Sequence, residues 1–187
     1  MSALMEEILE HNRAFVARGD CAQYDTSKYP DKKLAVVSCM DTRLIELLPA
    51  AMGLRNGDVK LIKNAGATIT HPFGSVMRSL LITVYLLGVE EVAVVGHYDC
   101  GMQGLESKEL IEKMLERGVK RKEINLLNYC GFDLGSWLTG FENTGKAVQA
   151  TVGMILNHPL MPGDIQVHGF LMDPHTGRLD RVAACEA

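Results

Sequence analysis

Two short stretches of the 187-residue sequence carry side chains well suited to bind a metal ion. His97 and Cys100 are separated by two residues in GHYDCG, and Cys39 begins the segment CMDTR. Imidazole and thiolate groups are common ligands of zinc, and a Cys2His set leaves the fourth tetrahedral position open to water or substrate. The residue types therefore indicate a catalytic zinc site, provided that the fold brings Cys39 to the other two.

Each stretch follows a short apolar run of the kind that forms a buried strand, at residues 34–38 (LAVVS) and 92–95 (VAVV). Gly96 is expected to end the second run, so that the HYDC segment lies in a loop. If the two strands pair in a parallel sheet, their carboxyl ends open on the same edge, where α/β sheets bind ligands. The three candidate ligands would then converge, with Asp41 and Arg43 beside the open metal position.

Helix-like and strand-like patterns alternate along the rest of the chain, which predicts an α/β fold with a central, mostly parallel sheet flanked by helices. A further strand is predicted at 59–62, and helices at 44–52, 73–87, 104–117, 120–129 and 141–156. Pro72 is predicted to open the second of these helices, with Thr70 or His71 as its cap. Residues 165–172 and 178–182 are predicted to form a hairpin that adds an edge strand near the C-terminus.

Residues 1–187 are expected to form a single domain, in which residues 1–30 are an N-terminal helix and a loop. Apolar residues recur at helical spacing in this segment, which predicts an amphipathic helix ending at Gly19. The stripe comprises Met5, Ile8, Leu9, Phe15 and Val16. Its apolar face must pack on the domain or on a partner, and composition alone does not decide between them.

The CMDTR segment at residues 39–43 and the HYDC segment at 97–100 together resemble the zinc signature of the β-class carbonic anhydrases. The KNAG sequence at 63–66 and the segment from HPL to VHG at 158–169 match the same family in the same order. The resemblance covers about residues 34–182, most of the chain, and is closest to the shorter, archaeal-type branch.

The resemblance implies reversible hydration of CO2 to bicarbonate and a proton. Cys39, His97 and Cys100 would bind Zn2+, whose bound hydroxide attacks CO2. Asp41, held by Arg43, would accept a hydrogen bond from that hydroxide and orient it. The family also implies that the N-terminal helix packs across a homodimer, or a dimer of dimers. The strand before the first zinc ligand lacks the Trp of bicarbonate-inhibited members, so no such inhibitory site is expected.

Three other functions could use the same residues. A hydrolase of CS2 or COS would share the zinc site and differ in the substrate pocket, for which Leu44, Ala65 and Gly101 are candidate wall residues. A zinc-stabilised binding module would have a fourth Cys or His ligand, where the sequence offers Asp41. A thiol redox protein would show a Cys-x-x-Cys pair, which neither candidate cysteine has.

The remaining histidines and cysteines are expected to have no role in the chemistry. His158 and His168 match family positions that are taken to be structural. Cys21, Cys130 and Cys185 stand apart from the two segments. An odd count of five cysteines favours reduced thiols over a disulfide framework.

Composition excludes several classes of partner. The net charge is -4, which argues against nucleic-acid binding. No stretch reaches the ~18 apolar residues of a membrane span, and acidic residues near the N-terminus do not fit a signal peptide. The sequence therefore predicts a cytoplasmic protein that acts on a small molecule and binds neither nucleic acid nor membrane.

Overall fold

The computed structural model describes residues 1–182, and within them five strands form one sheet. They are β1 (Leu34–Cys39), β2 (Val59–Asn64), β3 (Glu91–His97), β4 (Gln166–Met172) and β5 (Leu179–Val182). Their order across the sheet is β2-β1-β3-β4-β5. The first four are parallel, and β5 pairs antiparallel with β4 at the edge. The predicted fold class and the C-terminal hairpin are therefore confirmed.

Seven α-helices lie within residues 1–182. They are α1 (Ala3–Arg18), α2 (Leu44–Ala51), α3 (Ser75–Leu87), α4 (Ser107–Glu116), α5 (Arg121–Tyr129), α6 (Leu134–Leu138) and α7 (Thr144–Leu156), with 3-10 turns at Asp20–Tyr24 and Ala65–Ala67. The short α6 escaped prediction because five residues give no periodic pattern; Asp133 caps it by accepting a hydrogen bond from the Ser136 amide.

The core lies on both faces of the sheet. On one face α3 and α7 pack against the strands, and Leu80 and Ile155 are fully buried there. On the other face α2 contributes Leu44 and Leu48, which are also fully buried. Helices on both faces leave the strand ends open, and the site lies at one such end.

β3 continues through Gly96 and ends at His97, so the prediction that Gly96 begins a loop was wrong. The reason is packing. A Cβ atom at this glycine would lie 2.7 Å from Val148 Cγ2 of α7, so the absent side chain admits the helix rather than breaking the strand. His97 therefore has Met172 of β4 as its strand partner and a rigid backbone.

The start of α3 also differs from the prediction, because Gly74 is its N-cap and neither Thr70 nor His71 caps it. A turn precedes the helix, in which His71 Nδ1 accepts a hydrogen bond from the Phe73 amide. Pro72 lies in that turn, outside the helix, and its carbonyl accepts a hydrogen bond from His158 Nε2.

The N-terminal helix is confirmed and stands apart from the core. Ser2 caps α1 by accepting from the Met5 amide, and Gly19, at φ 72°, ends it. None of the sixteen residues of α1 is buried; in its apolar stripe Met5, Ile8, Leu9 and Val16 are exposed, and Phe15 is half-buried. Within residues 1–182, no helix is both long enough and apolar enough to cross a membrane.

Candidate metal centre

Parallel pairing of β1 with β3 brings the three candidate ligands together. Ser38 lies opposite Val95, so Cys39 and His97 end neighbouring strands at the same edge. Cys100 follows three residues later. The ligand atoms of Cys39, His97 and Cys100 all lie within 4.8 Å of one another, and all three residues are buried.

The two sulfur atoms are spaced as zinc ligands would be. Cys39 Sγ and Cys100 Sγ are 3.9 Å apart. Two sulfurs at the usual Zn–S distance of about 2.3 Å span about 3.8 Å across a tetrahedron. The sulfur spacing therefore fits a tetrahedral zinc ion without rearrangement.

His97 presents one ring nitrogen to the same point. Its Nδ1–H donates to the Tyr98 carbonyl at 2.9 Å, which leaves the Nε2 lone pair for a metal. Nε2 is buried and has no hydrogen-bond partner among the described residues. A buried polar atom without a partner costs free energy, and a bound cation would satisfy it. A disulfide between the two cysteines would leave this nitrogen unsatisfied.

The electrostatics of the cysteine pair favour a bound cation. A hydrogen bond with Cys100 lowers the pKa of Cys39, as do the backbone amides of Asp41 and Gly66, whereas burial opposes the shift. The same pair bond raises the pKa of Cys100. A cation bound by both sulfurs would need both as thiolates, so its binding would release the proton of their hydrogen bond.

Asp41 and Arg43 form a two-pronged ion pair beside the ligands. Asp41 Oδ1 accepts from Arg43 Nε at 3.0 Å and from the Arg43 amide at 2.9 Å, and Oδ2 accepts from Nη2 at 2.9 Å. These bonds lower the pKa of Asp41 to about 2 and raise that of Arg43. Asp41 Oδ2 lies 3.8 Å from His97 Nε2, so an ionised carboxylate borders the metal position.

Asp99 is a neighbour of the site that the sequence analysis missed. Arg43 Nη1 donates to Asp99 Oδ2 at 2.8 Å, and Nη2 donates to the Asp99 carbonyl at 2.9 Å. An acidic residue next to a candidate metal ligand could have drawn attention. Its contact with Arg43 depends on the left-handed backbone conformation of Asp99, at φ +54°, which the sequence pattern does not indicate.

The KNAG segment supports Cys39 through its backbone. Its first two residues belong to β2 and its last two to a 3-10 turn, in which Gly66 has φ 76°. The Gly66 amide hydrogen-bonds to Cys39, and a Cβ at Gly66 would lie 2.7 Å from Phe141 Cε1. Both the turn and the close approach therefore require glycine here.

The three candidate pocket residues have different surroundings. Ala65 borders a cavity of about 570 Å3 between α3 and the chain after α6. Leu44 is fully buried beneath the sheet, and a Cβ on Gly101 would meet open space. None of the candidate ligands lines that cavity.

Two of the remaining histidines are held outside the metal site. His158 Nε2 donates to the Pro72 carbonyl at 2.9 Å, and Nδ1 accepts from the Leu160 amide at 3.2 Å, so both nitrogens are occupied. His168 pairs with Glu91 at 3.0 Å. Among the other cysteines, Cys21 and Cys130 are exposed and free, and Cys185 lies outside the described residues.

Comparison with known proteins identifies the family. Residues 34–179 match the family model described as "Carbonic anhydrase", so the chain belongs to the carbonic anhydrase family. Its members of the β class are zinc enzymes, in agreement with the Cys-His-Cys cluster.

Two relatives are similar over nearly the whole chain. The Bacillus subtilis protein named "Putative carbonic anhydrase YvdA" is 54% identical over 178 residues, which are 95% of this chain and 90% of that protein. The crystal structure of β-carbonic anhydrase isoform I from Trichomonas vaginalis superposes with a TM-score of 0.88 at 32% identity and covers all of both chains. The resemblance to the β class is confirmed.

A more distant relative has a different named substrate. A carbon disulfide hydrolase from Acidithiobacillus thiooxidans is 27% identical over 157 residues, which are 80% of this chain and 76% of that protein. The family thus includes proteins named for CS2, but at about half the identity of the bacterial relative named for carbonic anhydrase.

We propose Cys39, His97 and Cys100 as the metal ligands and expect about one zinc ion per chain. Cys100→Ala removes a thiolate and should lose most of the zinc, measured by elemental analysis after purification without added metal. Cys130→Ala, at an exposed cysteine, is the matched control and should keep full occupancy. Full zinc occupancy in Cys100→Ala would contradict the assignment.

Proposed function

We propose that this protein catalyses the reversible hydration of CO2 to bicarbonate and a proton. The observation that carries the proposal is the ionised Asp41 carboxylate, fixed by Arg43, at 3.8 Å from a buried metal-ligand atom. A cation site beside an oriented hydrogen-bond acceptor suits activation of water. Family membership agrees with this chemistry.

When bound, zinc makes water nucleophilic near neutral pH by lowering its pKa. The protein's own contribution is orientation. Asp41 Oδ2 accepts one hydrogen bond from Arg43 and keeps lone-pair capacity on the side of the metal ligands. It can therefore accept a hydrogen bond from the attacking water species and so direct a lone pair of that species towards carbon.

Arg43 keeps Asp41 ionised and correctly placed. The Arg43 contacts hold the Asp41 pKa at about 2, so the carboxylate stays charged across the whole physiological range. A fork of three bonds to both oxygens also fixes the plane of the carboxylate. Asp41 should therefore contribute no acidic limb to a pH profile measured above pH 5.

The same geometry would also allow Asp41 to act as a metal ligand, in competition with its role in orienting water. Because Oδ2 is already 3.8 Å from His97 Nε2, a modest rotation could bring it into the metal position. The bonds to Arg43 oppose that rotation. Arg43 thus has two effects in the proposal: it orients Asp41 for catalysis and keeps the fourth coordination position accessible.

The rival functions are less well supported. Among residues 1–182 no fourth cysteine or histidine joins the cluster, as a closed structural zinc site would need. The CS2 hydrolase relative matches at only 27% identity, against 54% for the bacterial relative named for carbonic anhydrase. We therefore favour CO2 as the substrate.

The proposed function is tested by measuring the rates of CO2 hydration and CS2 hydrolysis with the same protein preparation. The zinc-loaded protein should hydrate CO2 in stopped-flow assays with a pH indicator and should release little or no H2S from CS2. Removal of zinc by a chelator should abolish the rate, and added zinc should restore it. Efficient CS2 hydrolysis without CO2 hydration would assign the protein to the other branch.

The role of Asp41 can be separated from metal binding. Asp41→Asn keeps the shape but lets an amide NH2 face the nucleophile, so kcat/KM should fall by ~10^2-fold, roughly 2.7 kcal/mol of transition-state stabilisation, with zinc retained. Arg43→Ala should release Asp41 towards the metal and also lose activity with zinc bound. If both variants keep zinc and near-normal rates, the pair is structural.

We also propose that α1 packs against a second copy of this chain. Its apolar side chains, exposed in the single chain, lie along one side of the helix at Leu4, Met5, Ile8, Leu9 and Val16. An amphipathic helix with no buried residue gains stability only by covering its apolar face. Homodimerisation would provide that cover, and dimers could pair further into tetramers.

Light scattering should give a mass of at least twice the 20.5 kDa of one chain at micromolar concentration. Ile8→Glu places a charge on the apolar side and should shift the population towards monomer. Ala14→Glu adds the same charge at an exposed position on the opposite side and should leave the mass unchanged. A wild-type monomer would refute the proposed interface.

We further place the protein in a reducing compartment such as the cytoplasm. Cys21, Cys39, Cys100 and Cys130 are all free thiols, as reduced conditions would keep them. Thiolate ligands are open to oxidation when no metal protects them, which agrees with such a compartment.

A further inference from the structure

Arg43 makes four hydrogen bonds through its guanidinium group, and Asp99 receives half of them. Two go to the Asp41 carboxylate. The other two go to the side-chain Oδ2 and the backbone carbonyl of Asp99. The guanidinium is thus held from two sides, by Asp41 in the segment after β1 and by Asp99 in the segment after β3.

The backbone of Asp99 is arranged for this contact. Its φ is +54°, in the left-handed region that most residues with a side chain avoid, although Asp and Asn tolerate it better than others. In this conformation the carbonyl and the side-chain carboxylate of one residue both reach the same guanidinium. Such backbone strain is a feature of functional sites.

Stability does not explain the contact. The Asp99 side chain is 79% exposed, and an exposed ion pair contributes little to the free energy of unfolding. Arg178 offers a comparison elsewhere on the surface, because within residues 1–182 its one ion pair is with Asp180, through Oδ2. Arg43 differs in that its other partner is Asp41, which borders the metal position.

We infer that Asp99 is a positioning residue: it immobilises the Arg43 guanidinium and, through it, sets the orientation of Asp41. Without the Asp99 side chain, Arg43 keeps its two side-chain hydrogen bonds to Asp41. The two side chains can then move together, because one of the contacts that fixed the guanidinium is lost. The carboxylate then spends less time in the orientation that serves hydration. The inference rests on the proposed function for its catalytic part only, because the immobilisation of Arg43 can be measured without turnover.

Two variants at this position separate side-chain positioning from backbone strain. Asp99→Gly suits the positive φ, keeps the carbonyl bond and removes the side-chain bond, so the melting temperature should not fall. Asp99→Asn also tolerates this φ and keeps an oxygen that can accept from Nη1. Asp180→Asn removes the same charge from a different Asp–Arg pair and likewise keeps an oxygen that can accept from Arg178 or Tyr98, so it is the control for charge.

The direct measurement is the rotation rate of the Arg43 guanidinium about its Nε–Cζ bond, from 15N exchange NMR on arginine-labelled, zinc-loaded protein. In Asp99→Gly this rate should rise by roughly threefold to fivefold, the upper range for an exposed ion pair. Asp99→Asn should restore most of the wild-type rate. The Arg178 signal, whose guanidinium does not contact Asp99, should be unchanged in both.

Stopped-flow measurement of CO2 hydration by the same samples tests the catalytic part of the inference. In Asp99→Gly kcat should fall by about threefold to fivefold with KM unchanged, and Asp99→Asn and Asp180→Asn should stay near wild type. Unchanged Arg43 rotation in Asp99→Gly, or faster rotation with unchanged kcat, would overturn the inference. Equal losses in the Gly and Asn variants would assign the effect to charge and overturn it too. A wild type without CO2 hydration but with the expected NMR pattern would refute the proposed function and leave the positioning of Arg43 established.

Discussion

The site depends on the parallel pairing of β1 with β3. The facing valines of the two strands are fully buried, and Val37 lies opposite Val94 in the register. Both faces of these strands are buried, and a slip of β3 by one residue would put a side chain where Gly96 lies against Val148 of α7, so close packing fixes the register. That register places Cys39 and His97 at adjacent strand ends before any metal binds. Hydrophobic packing thus supplies the pre-organisation that metal binding and catalysis need.

Arg43 is the electrostatic centre of the site. It is one cation between two carboxylates: Asp41 lies in the loop that follows Cys39, and Asp99 directly precedes Cys100. Loss of the guanidinium would therefore loosen both loops and leave Asp41 close to the metal position. The arrangement explains why Arg rather than Lys occupies this position: a single ammonium could not serve both carboxylates and a backbone carbonyl in fixed directions.

The sequence predicts those features that depend on local pattern. The LAVVS and VAVV runs identified two strands, and the rule that parallel strands open on one edge placed the ligands together. Prediction from the sequence failed where a tertiary contact overrides the local preference of the backbone. Gly96 suggested a break, but it lies within β3 because α7 packs against the space that a side chain would fill. The Asp99 contact escaped notice because it depends on the left-handed backbone of that single residue.

The ligand set is the central claim, and X-ray absorption at the zinc edge tests it most directly. The zinc-loaded protein should show two sulfur ligands at about 2.3 Å and two nitrogen or oxygen ligands at about 2.0–2.1 Å, as expected for Cys39, Cys100, His97 and one exchangeable oxygen. A shell of four sulfurs, or a shell with no sulfur, would contradict the account.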